Sequence, residues 1–213
     1  MTTDAARSLT EEAHLRIRTD IIQGRIRPNV HLVAGDLARQ LDISRTPIRE
    51  ALQLLASEGL VVATGRGFVV REHTPEEIQQ IYEVRAALEG MAARLAATRA
   101  TDAQIEAVEK VGAHTKAAAE SPRDVIVDLN NAFHEAIMLA AGNPRLQTIN
   151  QRNSTHFFNY NIAKLYSHEE AAQAIAEHEI LLKAIKRRDG EAAAKAARDH
   201  VMYALELALK NLR

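Results

Sequence analysis

The 213-residue sequence has no cysteine and no tryptophan, and it has only nine glycines, five prolines and eight Phe or Tyr residues. Without cysteine the chain can form no disulfide, no thiolate metal site and no cysteine nucleophile. Scarce glycine and proline leave few of the turns that separate short strands. Alanine recurs in clusters, as at residues 117–119 and 192–194. Together these features predict a mostly helical protein.

Long hydrophobic runs are also missing from the sequence. No run of 18 apolar residues occurs, so no transmembrane helix is predicted. The first 14 residues have no apolar core and do not resemble a signal peptide. With 46% apolar and 26% charged residues, the chain can still bury a substantial core. We therefore expect a cytoplasmic protein with no membrane partner.

The net charge is only −1, which argues against a generally basic surface that coats nucleic acid. The distribution of charge is more informative than the total. Residues 1–72 contain ten arginines and no lysine, against nine acidic residues. The guanidinium of arginine can make bidentate hydrogen bonds with a phosphate group or with the edge of a guanine base. An ordinary mixed surface has the same composition, so the positions of these arginines in the helices must decide between the two interpretations.

Residues 1–72 read as a small module of three helices and a hairpin. Apolar spacing predicts helices over 9–23 and 36–41, and a third helix from the N-cap Ser44 to about residue 57. Two short strand-like runs, 60–63 and 68–71, follow and are joined by residues 64–67. This order is the winged helix-turn-helix plan. Asp42 stands at the turn, where glycine is usual.

The wording of this segment, LARQLDISRTPIREALQLLASEGLVVATGRGFVV, resembles the DNA-binding domain of GntR-family bacterial transcription regulators. The resemblance implies that the third helix enters the major groove and that the wing around Gly67 approaches the minor groove. Arg39, on the preceding helix, is placed to hold a phosphate. Gly35 stands where many relatives carry a basic residue, and Arg66 can equally be a solvated hairpin tip. The predicted DNA-binding residues are Arg39, Ser44, Arg45, Thr46, Arg49, Arg66 and Gly67.

Residues 73–213 are predicted to form an antiparallel, all-helical bundle. Thr74-Pro75-Glu76-Glu77 is a capping box with proline in the first helical turn, and it begins a helix that reaches about residue 98. Breaker residues then separate five further helices with short links. Their predicted ranges are 102–120, 122–141, 144–166, 168–188 and 190–212.

Three histidines lie on the apolar stripes of three different predicted helices: His134, His178 and His200. A single inward histidine is usually a core residue with a hydrogen-bond partner. Three from separate helices, in a chain without cysteine, favour a site for a divalent ion such as Zn or Ni. Asn130 lies four residues before His134 and is the candidate fourth ligand.

Residues 76–210 resemble the FCD effector-binding domain of one GntR branch, on Tyr82-Glu83-Val84-Arg85, Asn131-Ala132-Phe133-His134 and Arg198-Asp199-His200. The resemblance implies a divalent metal held by three histidines and an aspartate four residues before the first of them. Here that position is Asn130, which offers a carbonyl oxygen but no negative charge. Either the metal affinity is lower, or the ion relies on the three histidines alone.

Arg85 falls on the predicted apolar stripe of its helix, four residues after Ile81, and a buried guanidinium needs an anion. Glu89, one turn further on, can supply it. The functional alternative is that Arg85 clamps the carboxylate of a small organic acid whose other oxygens meet the metal. Asn150 and Asn153 are weaker candidates for the same cavity, and His156 is weaker still.

These observations favour a transcription regulator that binds an inverted-repeat operator in double-stranded DNA as a homodimer, with its affinity controlled by a small organic acid. Two alternatives remain: a regulator that senses the metal itself, and a helical-bundle metalloenzyme. The pair His178-Glu179 resembles the start of the zinc-protease motif HExxH, but Leu182 stands where the second histidine is needed. The sequence also lacks GxSxG, P-loop and GxGxxG motifs.

Overall fold

A computed structural model describes residues 8–117, 121–154 and 166–211, except for the side chains of Arg123 and Ser154. These residues form nine helices and three short strands. They divide into two compact units, with the boundary between His73 and Thr74. No helix in the described ranges is long and apolar enough to cross a membrane.

The N-terminal unit has the predicted order of three helices and a wing. A two-residue strand between the first two helices joins the hairpin, so the described strands form one antiparallel sheet in the order β1-β3-β2. The second helix begins at Ala34, two residues earlier than the pattern predicts. The elements are α1 (Leu9–Ile22), β1 (His31–Leu32), α2 (Ala34–Leu41), α3 (Arg45–Ser57), β2 (Val61–Thr64) and β3 (Gly67–Val70).

The turn between α2 and α3 is tight because Asp42 adopts a left-handed conformation, with φ of 54°. Aspartate tolerates this region better than most residues, so it takes the place of the usual glycine. Ser44 lies at the N-cap of α3, as predicted, but its hydroxyl makes no capping hydrogen bond. The core beneath contains Ala13, Ile17, Ile21, Leu37, Ile48, Ala51, Leu52, Leu55, Leu60 and Val70.

The described ranges contain six helices of the C-terminal unit. Capping boxes start three of them: Thr74 with Glu77 on the first, Thr101 with Gln104 on the second, and Ser167 with Glu170 on the fifth. The predicted helix ends at residues 120 and 166 involve residues 118–120 and 155–165, which lie outside the described ranges. The helices are α4 (Pro75–Arg99), α5 (Asp102–Ala117), α6 (Arg123–Ala140), α7 (Pro144–Ser154), α8 (His168–Lys186) and α9 (Gly190–Asn211).

The buried face of α4 differs in part from the predicted one, which was Ile78, Ile81, Leu88, Ala92 and Leu95. Ile78 and Ala92 are buried as predicted, but Ile81, Leu88 and Leu95 are only half-buried. The buried line also contains Tyr82, Ala86, Glu89, Gly90, Ala93 and Ala97. The reason is close packing against α9. A Cβ atom on Gly90 would lie 2.9 Å from Arg198 Cγ and 3.3 Å from the Ala194 carbonyl oxygen. Small residues therefore occupy this line, and the larger aliphatic residues lie at its edges.

Candidate functional site

Helix α3 separates an apolar face from a polar one. Ile48, Ala51, Leu52 and Leu55 are completely buried in the N-terminal unit. Arg45, Thr46 and Arg49 are exposed on the other side. These three side chains come from the first turns of the helix, where the unpaired backbone amides and the helix dipole favour an anion. This face therefore has the chemistry that a DNA backbone and base edges require.

Two neighbours of this face bear on the predicted DNA contacts. The Arg45 guanidinium lies about 3.8 Å from where a Cβ atom on Gly35 would be, so Arg45 packs against the first turn of α2 at van der Waals distance. Arg39 is 82% exposed and forms an ion pair with Asp36 at 2.5 Å. A pair this exposed contributes little to stability, so Arg39 can exchange its partner for a phosphate at small cost.

The wing contains two predicted contacts of different kinds. Arg66 is exposed between β2 and β3. Gly67 begins β3 with φ of 135°, and a Cβ atom there would lie 2.7 Å from the Leu32 carbonyl oxygen. Gly67 is therefore needed for the close pairing of β3 with β1, whatever it contributes to DNA binding.

The three predicted histidines come together in the C-terminal unit. His134 on α6, His178 on α8 and His200 on α9 each offer a ring nitrogen within 4.8 Å of the others. His178 Nε2 lies 3.2 Å from His200 Nε2, and both residues are only 4% exposed. The Phe133 ring stacks on His178 with 4.5 Å between ring centroids.

Carboxylates lie behind two of these histidines. Glu177 Oε2 is 2.9 Å from His200 Nδ1 in a regular hydrogen bond. Glu89 Oε2 is 2.9 Å from His134 Nδ1, close enough for an ion pair but outside the angles of a well-aligned hydrogen bond. Sequence reasoning treated Glu89 only as a partner of Arg85 and missed Glu177. The signal for Glu177 was its position directly before His178, one turn after Gln173.

The electrostatics keep His178 and His200 neutral and Glu89 charged. Burial, followed by the nearby His200 and His134, holds the pKa of His178 well below its usual value. Burial also lowers the pKa of His200, although the Glu177 hydrogen bond opposes this shift. Burial alone would raise the pKa of Glu89, but Arg85 and then His134 bring it below the usual range. The imidazoles of His178 and His200 are thus in the neutral state that binds metals.

The residues present fit a divalent ion. Two nitrogens on a tetrahedral Zn²⁺ lie roughly 3.3 Å apart, since each Zn–N bond is about 2.0–2.1 Å. The distance between His178 Nε2 and His200 Nε2 is close to this value. His134 Nε2 is buried and has no hydrogen-bond partner within the described ranges. Asn130, the candidate fourth ligand, is half-buried one turn before His134.

Arg85 is buried, and Glu89 satisfies it. Its Nε donates to Glu89 Oε1 at 2.6 Å, and the two side chains are 12% and 8% exposed. Burial by itself would lower the pKa of Arg85, but Glu89 and then Tyr82 raise it, so the guanidinium stays charged. The counter-ion that the sequence left open is therefore present within the same helix.

The asparagines of α7 lie in different surroundings. Asn153 Nδ2 donates to the Ile81 carbonyl oxygen at 3.2 Å, which ties α7 to α4. Asn150 is half-buried. Ile149, between these two and Leu146 on the same helix, is 53% exposed. His156 lies outside the described residues.

Two family models match the chain: "Bacterial regulatory proteins, gntR family" over residues 9–70 and "FCD domain" over residues 80–202. The Glc operon transcriptional activator of Escherichia coli (strain K12) is 30% identical over 78% of this chain and 74% of its own. The gluconate operon transcriptional repressor of Bacillus licheniformis is 27% identical over 81% of this chain and 74% of its own.

Among solved structures, Escherichia coli McbR/YncC superposes with a TM-score of 0.82 over 97% of this chain and all of that one. Its sequence identity is 24%, so this likeness speaks for the fold alone. The fold, the two family matches and the named relatives agree, and the relatives are regulators of transcription, not enzymes. The chain is therefore a transcriptional regulator of the GntR family, in the branch that carries an FCD domain.

Proposed function

We propose that this regulator binds an inverted-repeat operator as a homodimer, and that a small carboxylate effector at a metal-containing pocket controls its affinity for DNA. Residues 1–72 are the DNA-binding domain, and residues 73–213 are the effector-binding and dimerisation domain. The observation that carries the DNA-binding part is the exposed row of Arg45, Thr46 and Arg49 at the start of α3. A single winged helix makes few base contacts, and a two-fold pair supplies the missing affinity.

The DNA contacts are assigned by their chemistry. Arg45 and Arg49 read base edges in the major groove, with Thr46 between them. Ser44 and the first amides of α3 hold a phosphate, because the Ser44 hydroxyl is not used to cap the helix. Arg39 binds a second phosphate in exchange for Asp36. Arg66 enters the minor groove from the wing, whose shape Gly67 maintains.

The DNA-binding proposal is tested on a duplex that the wild-type protein selects from a random pool. Arg49→Ala should weaken specific binding by about 1–3 kcal/mol, roughly 5- to 150-fold, because a bidentate contact to a base is lost. Arg16→Ala is the matched control, since Arg16 is a half-exposed arginine of α1 paired with Glu12. Equal affinities of the two variants for the selected duplex would contradict the assignment of α3.

For the metal, the proposal names His134, His178 and His200 as ligands and Asn130 as a weaker fourth. A bound ion would supply an electropositive centre with a position open to an oxygen of the effector. The observation that supports a metal is the convergence of three imidazole side chains, each with a ring nitrogen within 4.8 Å of the others. Among the described residues, His134 Nε2 is buried without a hydrogen-bond partner. Zn²⁺ and Ni²⁺ both accept such nitrogen ligands.

For the effector, the proposal assigns the terminal nitrogens of Arg85 to a ligand carboxylate. Arg85 uses its Nε–H group to contact Glu89. An arginine guanidinium has five N–H donors in a planar arrangement, so the donors on its two terminal nitrogens can serve the ligand. Asn150 and Asn153 are the weaker candidates for further contacts from α7. The relative named for a gluconate operon fits this class, because gluconate is a hydroxy acid with one carboxylate.

A thermal-shift panel of citrate, malate, lactate and gluconate on the zinc-loaded protein tests the effector. The acid that raises the melting temperature most should also change operator affinity. Arg85→Lys should reduce both effects, because lysine keeps the charge but lacks the planar fork. If Arg85→Lys responds as the wild type does, the clamp is wrong and Arg85 is a structural partner of Glu89.

One observation favours a second function, a regulator that senses the metal without an organic ligand. The cavity beside Glu89 and His134 measures about 10 Å³, which is room for roughly one water molecule. Operator affinity measured with chelator, with zinc, and with zinc plus each acid separates the two functions. A response to zinc that no acid changes would favour the metal sensor.

A further inference from the structure

We propose that Glu177 and Glu89 are positioning residues for the histidine triad, which hold Nδ1 of His200 and of His134 and thereby direct Nε2 of each toward the ion. The inference rests on the metal site proposed above. Neither carboxylate lies among the proposed ligands, and Glu177 has no role in the DNA or effector contacts. Their contribution is the orientation and basicity of the ligands.

The two carboxylates are built into the bundle in the same way. Gln173 Nε2 donates to Glu177 Oε1 at 3.1 Å, and Arg85 Nε donates to Glu89 Oε1 at 2.6 Å. In both cases the donor lies four residues earlier on the same helix, so it fixes one carboxylate oxygen. The other oxygen then faces a histidine Nδ1 on a different helix at 2.9 Å. The same arrangement of a donor, a carboxylate and a histidine from a neighbouring helix thus occurs twice, once starting from α8 and once from α4.

This arrangement decides which ring nitrogen is available to a metal. A carboxylate only accepts hydrogen bonds, so Nδ1 of His200, which is hydrogen-bonded to Glu177, carries the proton. In a neutral imidazole the opposite nitrogen, Nε2, then keeps its lone pair. The nearby negative charge also makes that nitrogen a stronger ligand. His178 differs, because its Nδ1 is buried and has no hydrogen-bond partner within the described ranges.

The two carboxylates are not equal. Glu89 shares its charge with the guanidinium of Arg85, whereas the donor to Glu177 is the neutral amide of Gln173. Glu177 also makes the better-aligned contact with its histidine. The negative charge of Glu177, which acts through His200, should therefore stabilise a bound divalent ion more than that of Glu89 does.

The test is the zinc affinity of the full-length protein, measured by competition with a chromophoric chelator. Glu177→Ala should weaken zinc binding about 10- to 100-fold, and Glu177→Gln less, because the amide oxygen still accepts a hydrogen bond. Glu179→Ala is the matched control. Glu179 lies two residues further along α8 and pairs with Lys116 at 2.7 Å on the surface. Its replacement should change the affinity by less than about twofold.

Nitrogen-15 NMR of the histidine rings in chelator-treated protein gives a readout that a purely structural role would not move. Wild-type His200 should carry its proton on Nδ1, and Glu177→Ala should shift it toward a mixture of tautomers while circular dichroism stays unchanged. Zinc affinity of Glu177→Ala equal to that of Glu179→Ala would overturn this inference alone. A wild-type protein that binds no zinc would overturn the proposed metal site together with it.

Discussion

The buried ion pair between Arg85 and Glu89 makes a quantitative prediction about stability. Both side chains are about nine-tenths buried, and the charged atoms lie 2.6 Å apart. Removal of one partner leaves the other charge buried without compensation, which typically costs about 3–5 kcal/mol. We therefore expect Arg85→Ala to lower the free energy of unfolding by that amount.

The same helix provides the control. Arg94 pairs with Glu191 at 2.8 Å, but the two side chains are 51% and 73% exposed. Such a surface pair contributes about 0–1 kcal/mol, so Arg94→Ala should cost little. The double variant Arg85→Met/Glu89→Leu should lose much less than the sum of its single variants, because neither buried charge remains.

The assay is urea unfolding of chelator-treated protein, followed by the helical circular dichroism signal. Unfolding free energies are compared between variants that have the same dependence on urea concentration (the same m value). The loss of unfolding free energy caused by Arg85→Ala should become smaller as the pH falls. Arg85 and His134 hold the pKa of Glu89 below its usual value of 4.5, so the stability that Glu89 contributes is present above that value and is lost in more acidic solution. If Arg85→Ala costs no more than Arg94→Ala at neutral pH, the pair is not the buried counter-ion arrangement described here.

Three further predictions concern the wing, the histidine triad and the fourth ligand. Gly67→Ala should cost about 1–3 kcal/mol of unfolding free energy in urea, since a Cβ atom there collides with strand β1, whereas Gly65→Ala, with open space around it, should be neutral. The pKa values of His178 and His200 lie below 6.5 in the folded protein, so the unfolded chain takes up protons first as the pH falls. The free energy of unfolding, measured in urea, should therefore decrease below about pH 6.5, by up to about 1.4 kcal/mol per pH unit for each histidine. These two histidines should cause no change in it above that pH. Asn130→Asp should tighten zinc binding in a chelator competition by restoring a charged oxygen ligand, and an unchanged affinity would remove residue 130 from the ligand set.

Local sequence patterns were enough to predict most of the helices and their approximate ends. Proline and glycine at the helix ends, capping residues such as Thr74 and Ser167, and apolar residues every three to four positions predict the helices of both units. The stripes of α6, α8 and α9 also placed His134, His178 and His200 on inward faces, because helical periodicity alone determines which side chains share a face. The elements of the winged module were readable for the same reason, although β1, which pairs His31 with Val69, joins residues far apart in sequence.

Tertiary packing decided what periodicity could not. The close crossing of α4 and α9 at Gly90 turned α4 so that Glu89 is buried and Ile81 lies at the edge. Through that rotation Glu89, which the sequence already paired with Arg85 on the same helix, also meets His134 on α6. The contact of Glu177 with His200 joins residues 23 positions apart on two helices. Sequence spacing describes one helix at a time, so only the assembled bundle shows which carboxylate faces which histidine.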